Sequence, residues 1–148
     1  MKKLTLLLII ALAIVSCEGP MGPQGLNGKN GQDGAGTTWK IINLSVAAND
    51  WQAQVDDNGL NRYYTCSFDI PEITQFAFDE GGVFAYIKFG TVQQVLPYVR
   101  HYENGAGLLW TETYDFDYSK GKVNFYVTLS DFAEVPPTAS SFRLVVLY

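Results

Sequence analysis

Few residues in this chain are able to carry chemistry. His101 is its only histidine, so metal clusters built on imidazole and His-based triads have almost no material to draw on. Asp115 and Asp117 stand two apart, which puts them on one face of a strand. For such a pair, solvated or calcium-binding ends of hairpins are commoner than catalysis. Asp56-Asp57-Asn58-Gly59 sets oxygen ligands beside a glycine, as calcium loops do, but lacks the later bidentate Glu and reads as a turn. These residues point away from an enzyme and toward no metal and no cofactor.

A more suggestive set flanks Glu103-Asn104-Gly105-Ala106-Gly107. With that loop closing a hairpin and Tyr102 opposite Leu108, alternation gathers Tyr98, Arg100 and Tyr102 with Trp110, Glu112 and Tyr114 on one face. Arg100 then lies across from Trp110. Rings with polar tips supply rigid contact area, and a core face does not ordinarily accept Arg100 and Glu112. The face suits a platform for a sugar or a peptide; the competing expectation is that large aromatics simply cover the rim of a sheet. Trp51, among polar neighbours, is either an anchor folded onto the domain or an exposed contact.

Short strands must hold these residues. Lys122 to Leu129 alternates most cleanly, with Val123, Phe125, Val127 and Leu129 on one side and Lys122, Asn124, Tyr126 and Thr128 on the other. Tyr63 to Ile70 behaves likewise and puts Cys66 on the apolar side, in the core, with an inert thiol. Further strands are expected over Trp39 to Val46, Val83 to Phe89, Val92 to Tyr102, Leu108 to Asp115 and Phe142 to Tyr148. Pro97 marks its strand as an edge, because proline donates nothing to a ladder. The run Phe142 to Tyr148 is apolar on both faces except for Arg143, as expected of a central strand. Val145 and Leu147 would fill the lumen-facing side of a membrane barrel's final strand, which excludes that architecture.

Between Asp69 and Glu80 the β pattern breaks. Asp69 and Glu72 have capping-box spacing, Pro71 falls in a first turn, and Ile73, Phe76 and Ala77 have helical spacing, which predicts two helical turns. About seven strands in some 110 residues, separated by Gly- and Asn-rich turns, predict an all-β two-sheet sandwich, Ig-like or jelly-roll, with one short helix.

The N-terminal segments are of another kind. Lys2 and Lys3 precede the apolar run Leu4 to Val15, long enough for a secretory signal but short of the ~20 residues that span a bilayer. Without those two lysines the chain has 8 basic and 15 acidic residues, a net charge of −7, which disfavours nucleic acid as a partner. The run ends in Ile14-Val15-Ser16-Cys17, which resembles the lipobox of bacterial lipoproteins. The resemblance implies cleavage before Cys17, a diacylglycerol thioether on its sulfur, and stable attachment to a membrane, since several acyl chains hold where one binds reversibly. Cys66 is then left without a disulfide partner.

From Gly19, glycine recurs at every third position through Gly22, Gly25, Gly28, Gly31 and Gly34. Only glycine fits where three polyproline-like chains crowd one axis. Yet Pro20 and Pro23 are confined to the first two triplets. Two expectations stay open: a collagen-like stub that forms a homotrimer nucleated by the following domain, or a single-chain spacer. Extended, these residues reach about 56 Å; as a coil they average roughly 24 Å.

In order, residues 1–16 read as a lipoprotein signal peptide, 17–36 as the lipidated cysteine and Gly-x-y stalk, and 37–148 as the β domain. This arrangement resembles collagen-like lipoproteins of Bacteroidetes-type bacteria, through Ile14 to Cys17, the glycine register, Asp50-Trp51, Phe68 to Ile73 and Phe142 to Leu147. The resemblance implies an outer-membrane lipoprotein, on its periplasmic or cell-surface side, of unassigned activity. The expected function is adhesion or the binding of a glycan or protein by a displayed, non-enzymatic domain. The alternative is a structural or docking component of an envelope assembly.

Overall fold

A computed structural model describes residues 36–131 and 134–148. The signal peptide, Cys17 and the glycine register through Gly34 lie outside the described residues.

Among the described residues, nine strands form two antiparallel sheets. In chain order they are β1 (Trp39–Val46), β2 (Gln52–Val55), β3 (Arg62–Asp69), β4 (Gly82–Phe89), β5 (Val92–Val95), β6 (Tyr98–Glu103), β7 (Leu109–Ser119), β8 (Lys122–Leu129) and β9 (Ser140–Leu147), with a 3-10 turn (Ala48–Asp50) between β1 and β2 and one α-helix, α1 (Gln75–Asp79), between β3 and β4. Sheet A runs β1-β9-β4-β5 and sheet B runs β2-β3-β8-β7-β6. The two-sheet sandwich expected from alternation is the observed architecture.

The core lies between the inward rows of the two sheets. Val123, Phe125 and Val127 of β8 meet Phe142, Leu144 and Val146 of β9, all at most 1% exposed. Phe125 stacks on Phe142 with ring centroids 4.0 Å apart. Trp51 is buried and sets its ring edge-on to Phe142, so it anchors its loop to the core. β9 lies between β1 and β4, as its apolar character implied.

Three expectations need correction, and one strand, β2, lies outside the expected set. The run Val92 to Tyr102 is two strands, because the chain crosses at Leu96-Pro97 from sheet A to sheet B; both β5 and β6 are edge strands, as proline requires. β2 has no apolar alternation and is exposed throughout, so its strand state comes only from pairing with β3. Cys66 is half-buried rather than buried: β2 pairs no further than Thr65, which leaves the flank of β3 open there. Burial, then the charge of Asp50, raises the thiol pKa and keeps it protonated at neutral pH. Finally, the helix starts later than predicted and is shorter. Asp69 belongs to β3, opposite Lys122, while Ile70 N donates to Gly121 O and Gly121 N to Ile73 O, tying the segment to the β7–β8 turn. Thr74 caps the helix instead, its side chain accepting from Ala77 N at 3.1 Å.

Two glycines are demanded by this packing. Gly121 turns the β7–β8 hairpin at φ +75°, and a Cβ on Gly81 would collide with the carbonyl oxygens of Leu147 and Ala77.

Phe125→Ala removes the ring on which Phe142 rests, and a poorly collapsing site of this kind costs about 3–5 kcal/mol. Urea denaturation should show that loss, and a change below ~1 kcal/mol would mean that the aromatic stack is not the centre of the core.

Candidate functional site

The six residues of the predicted platform do share one face of the β6–β7 hairpin, but in a different register. Tyr98 faces Tyr114, Arg100 faces Glu112 and Tyr102 faces Trp110. The loop is centred one residue later than assumed, because Asn104 N donates to Leu108 O, while Asn104 Oδ1 accepts from the Ala106 and Leu108 amides. The shift is two residues, so every side chain keeps its side.

That face is the inward one, and it changes character along its length. Tyr114 is buried in the core, and Tyr98 packs against it. Phe89, at the end of β4 in the other sheet, lies 5.9 Å from both of their rings. Past Phe89 the sandwich opens, and Arg100, Tyr102, Trp110 and Glu112 are only half-buried. Inward orientation and a charged pair are thus compatible here, because the row runs off the end of the core.

There the side chains form a continuous stack. The Arg100 guanidinium sits 4.7 Å from the centroid of Phe89 and 4.9 Å from that of Tyr102. Tyr102 in turn stacks on Trp110 at 5.2 Å with the planes 8° apart. Glu112 accepts a 2.5 Å hydrogen bond from the Tyr114 hydroxyl. Burial, then that bond and the charge of Glu112, raises the Tyr114 pKa strongly; Tyr102 is raised by burial and then by the charge of Glu112, against the Tyr114 hydroxyl and the Arg100 charge, which lower it.

Two concavities border the stack. One, of about 330 Å³, lies between Tyr102, Glu112 and Leu129 and the segment Val135, Pro136 and Pro137. The other, of about 370 Å³, lies along Tyr102, Trp110, Leu109 and Ser130. Both are near the lower end of small-ligand sites. Flat rings beside a carboxylate and a guanidinium can hold the apolar face of a sugar ring while accepting and donating to its hydroxyls. The hairpin pattern revealed six of these residues. Phe89 and the Val135-Pro136-Pro137 wall come from distant parts of the chain; the proline pair was the one available signal of an ordered wall.

The other candidates are engaged in structure. Asp117 accepts from Asn124 Nδ2 at 2.6 Å and from the Tyr126 hydroxyl at 2.7 Å, and Asp115 accepts from the Phe116 amide. Asp56 takes the Leu60 and Asn61 amides and the Asn61 side chain, which hold its carboxyl below the ordinary value. His101 is exposed, on the opposite side of β6 from the stack, and borders the second concavity at the strand edge. Among the described residues, no three His, Cys, Asp or Glu side chains gather as a metal site would require.

The chain matches no protein-family model, and comparison with curated proteins and with solved structures finds no significant similarity.

Two tyrosines report on these bonds. The Tyr126 pKa is pushed up to about 12, first by burial and then by its bond to Asp117. A folded-state pKa above the unfolded value near 10 contributes stability that is whole below pH 10 and is lost as pH rises toward 12. Ultraviolet titration should therefore show Tyr114 and Tyr126 ionising last. Glu112→Gln should lower the Tyr114 midpoint without restoring it to the ordinary value, since burial remains; an unchanged midpoint would refute the Glu112 bond.

Proposed function

We propose that the chain is a lipoprotein, anchored through Cys17 in the outer membrane, whose Gly-x-y stalk presents a non-enzymatic binding or adhesion domain. The half-open end of the sandwich, with Arg100, Tyr102, Trp110 and Glu112, is the contact surface for a glycan or a protein. The observation that carries this reading is the Phe89–Arg100–Tyr102–Trp110 stack, which leaves rings and charges at the mouth of two concavities. A closed core would have spent its aromatics on apolar contacts.

A second reading, a structural or docking component of an envelope assembly, is favoured by a different feature. The outer face of sheet A is apolar around Val145, with Trp39, Ile41 and Phe84 exposed. An adhesin binds external ligand when isolated, whereas a docking unit copurifies with envelope partners.

Trp110→Ala removes one layer of the stack. Truncation of an aromatic hot spot costs about 2 kcal/mol, roughly thirtyfold in affinity, and glycan-array and cell-binding signals should fall accordingly. Unchanged signals would remove the platform. For the anchor, Cys17→Ser should shift the protein from the membrane to the soluble fraction, and mass spectrometry of the mature wild type should show an acylated N-terminal cysteine. An unmodified chain that retains its leader would overturn the lipoprotein assignment.

A further inference from the structure

The two outer faces of the sandwich differ in kind. On sheet B the outward rows are polar and cross-linked over β3, β8 and the adjoining part of β7, where Ser67 donates to Asn124, Asn124 to Asp117, and Tyr126 to Asp117, and the exposed apolar residues Val99 and Leu109 lie at the β6–β7 edge. On sheet A the outward rows run Trp39–Leu147–Gly82, then Ile41–Val145–Phe84, then Asn43–Arg143–Tyr86–Val95, then Ser45–Ser141–Lys88–Gln93. Trp39, Ile41, Phe84 and Val95 are 63%, 60%, 46% and 53% exposed. Val145 is buried yet stands outside the core, between Ile41 and Phe84 of the flanking strands. A contiguous apolar surface of this kind marks an interaction site.

We propose that this face of sheet A, centred on Trp39, Ile41, Val145 and Phe84, is where copies of the chain pack around a three-fold axis. The inference does not depend on the ligand reading. The occupant follows from the chain that precedes the face. Glycine at each third position from Gly19 to Gly34 is a steric requirement only where three chains share an axis. Trp39 follows Gly34 by five residues, a reach of at most about 18 Å at ~3.6 Å per residue. Three chains that meet at Gly34 therefore deliver three copies of Trp39 close to the axis, at high effective concentration. The apolar character is concentrated in the Trp39 and Ile41 rows, where the chain enters β1, and fades along that strand.

Electrostatics agree with self-association. From Gly36 onward the chain carries 13 acidic and 7 basic residues, yet none of the acidic ones stands on these four rows. Copies can meet there without burying a carboxylate. The two cations on the face lie in the far rows: Lys88 donates to Asn43 Oδ1 at 2.6 Å, and the Arg143 guanidinium lies over the Tyr86 ring at 4.4 Å, its Nε without a hydrogen-bond partner. Each half also supplies what the other lacks. A proline-poor tract of six triplets has little to offset the ordering of three chains, and the apolar face adds association energy at the end of that tract.

The test uses the full lipidated chain in its native membrane, with a benzophenone side chain in place of Phe84 or, as control, of Thr113 on the outside of sheet B. Irradiation should give chain-to-chain products up to the trimer from position 84 and none from 113. Ile41→Glu in the position-84 protein should cut that yield about tenfold. Its circular dichroism should stay unchanged, because Ile41 lies on the solvent side of an edge strand and outside the core. Trp110→Ala should leave the yield intact, which separates this inference from the ligand reading. Crosslinks from position 84 to lipid or to a different protein, no chain-to-chain product, or a yield indifferent to a folded Ile41→Glu would each overturn the proposal.

Discussion

Everything in the domain depends on the contact of Phe125 with Phe142, the point where two sheets that share no hydrogen bonds are held face to face. Backbone ladders order strands within each sheet, but only apolar side chains join one sheet to the other. Because side chains alternate, this single layer of contact decides the direction of every residue on nine strands. The buried position of Tyr114 and the half-open positions of Arg100 and Trp110 follow from it: all three belong to the inward set, and they differ only in how far along the hairpin the opposite sheet still reaches.

That dependence explains what could be read from residues alone. Lys122 to Leu129 was legible because its inward side is pure Val, Phe and Leu and its outward side is polar, so period and face coincide. The identity of the platform face was legible for the same reason, and survived a two-residue error in register because parity is what sets the face. Whether that face looked inward or outward was not legible. Arg100 and Glu112 argue for solvent and Tyr114 for the core, and only the extent of the facing sheet reconciles them.

Other elements lie beyond local pattern. Gln52 to Val55 is a strand only because Arg62 to Thr65 offers it a partner. Pro97 announces an edge, but not that the chain leaves one sheet for the other there. The spacing of Asp69 and Glu72 is that of a capping box, yet Asp69 is already held by β8, so Thr74 takes the cap. In each case a local preference yields to a partner distant in sequence, which is where single-segment reasoning has no information.

The strand β9 carries the same lesson further. Apolar residues on both faces identify a strand inside its sheet, and β9 does lie between β1 and β4. In a sheet covered by helices on both sides, that pattern is explained by centrality alone. In a two-layer sandwich it is not, because one face of even a central strand meets water. Phe142, Leu144 and Val146 are accounted for by the core, whereas Val145 and Leu147 face away from it. The middle strand of sheet B meets the same geometry with Lys122, Asn124, Tyr126 and Thr128 on its outside. The apolar exterior of β9 is therefore no by-product of the fold. It belongs to the surface of sheet A as a property that the two-layer sandwich leaves free to serve association.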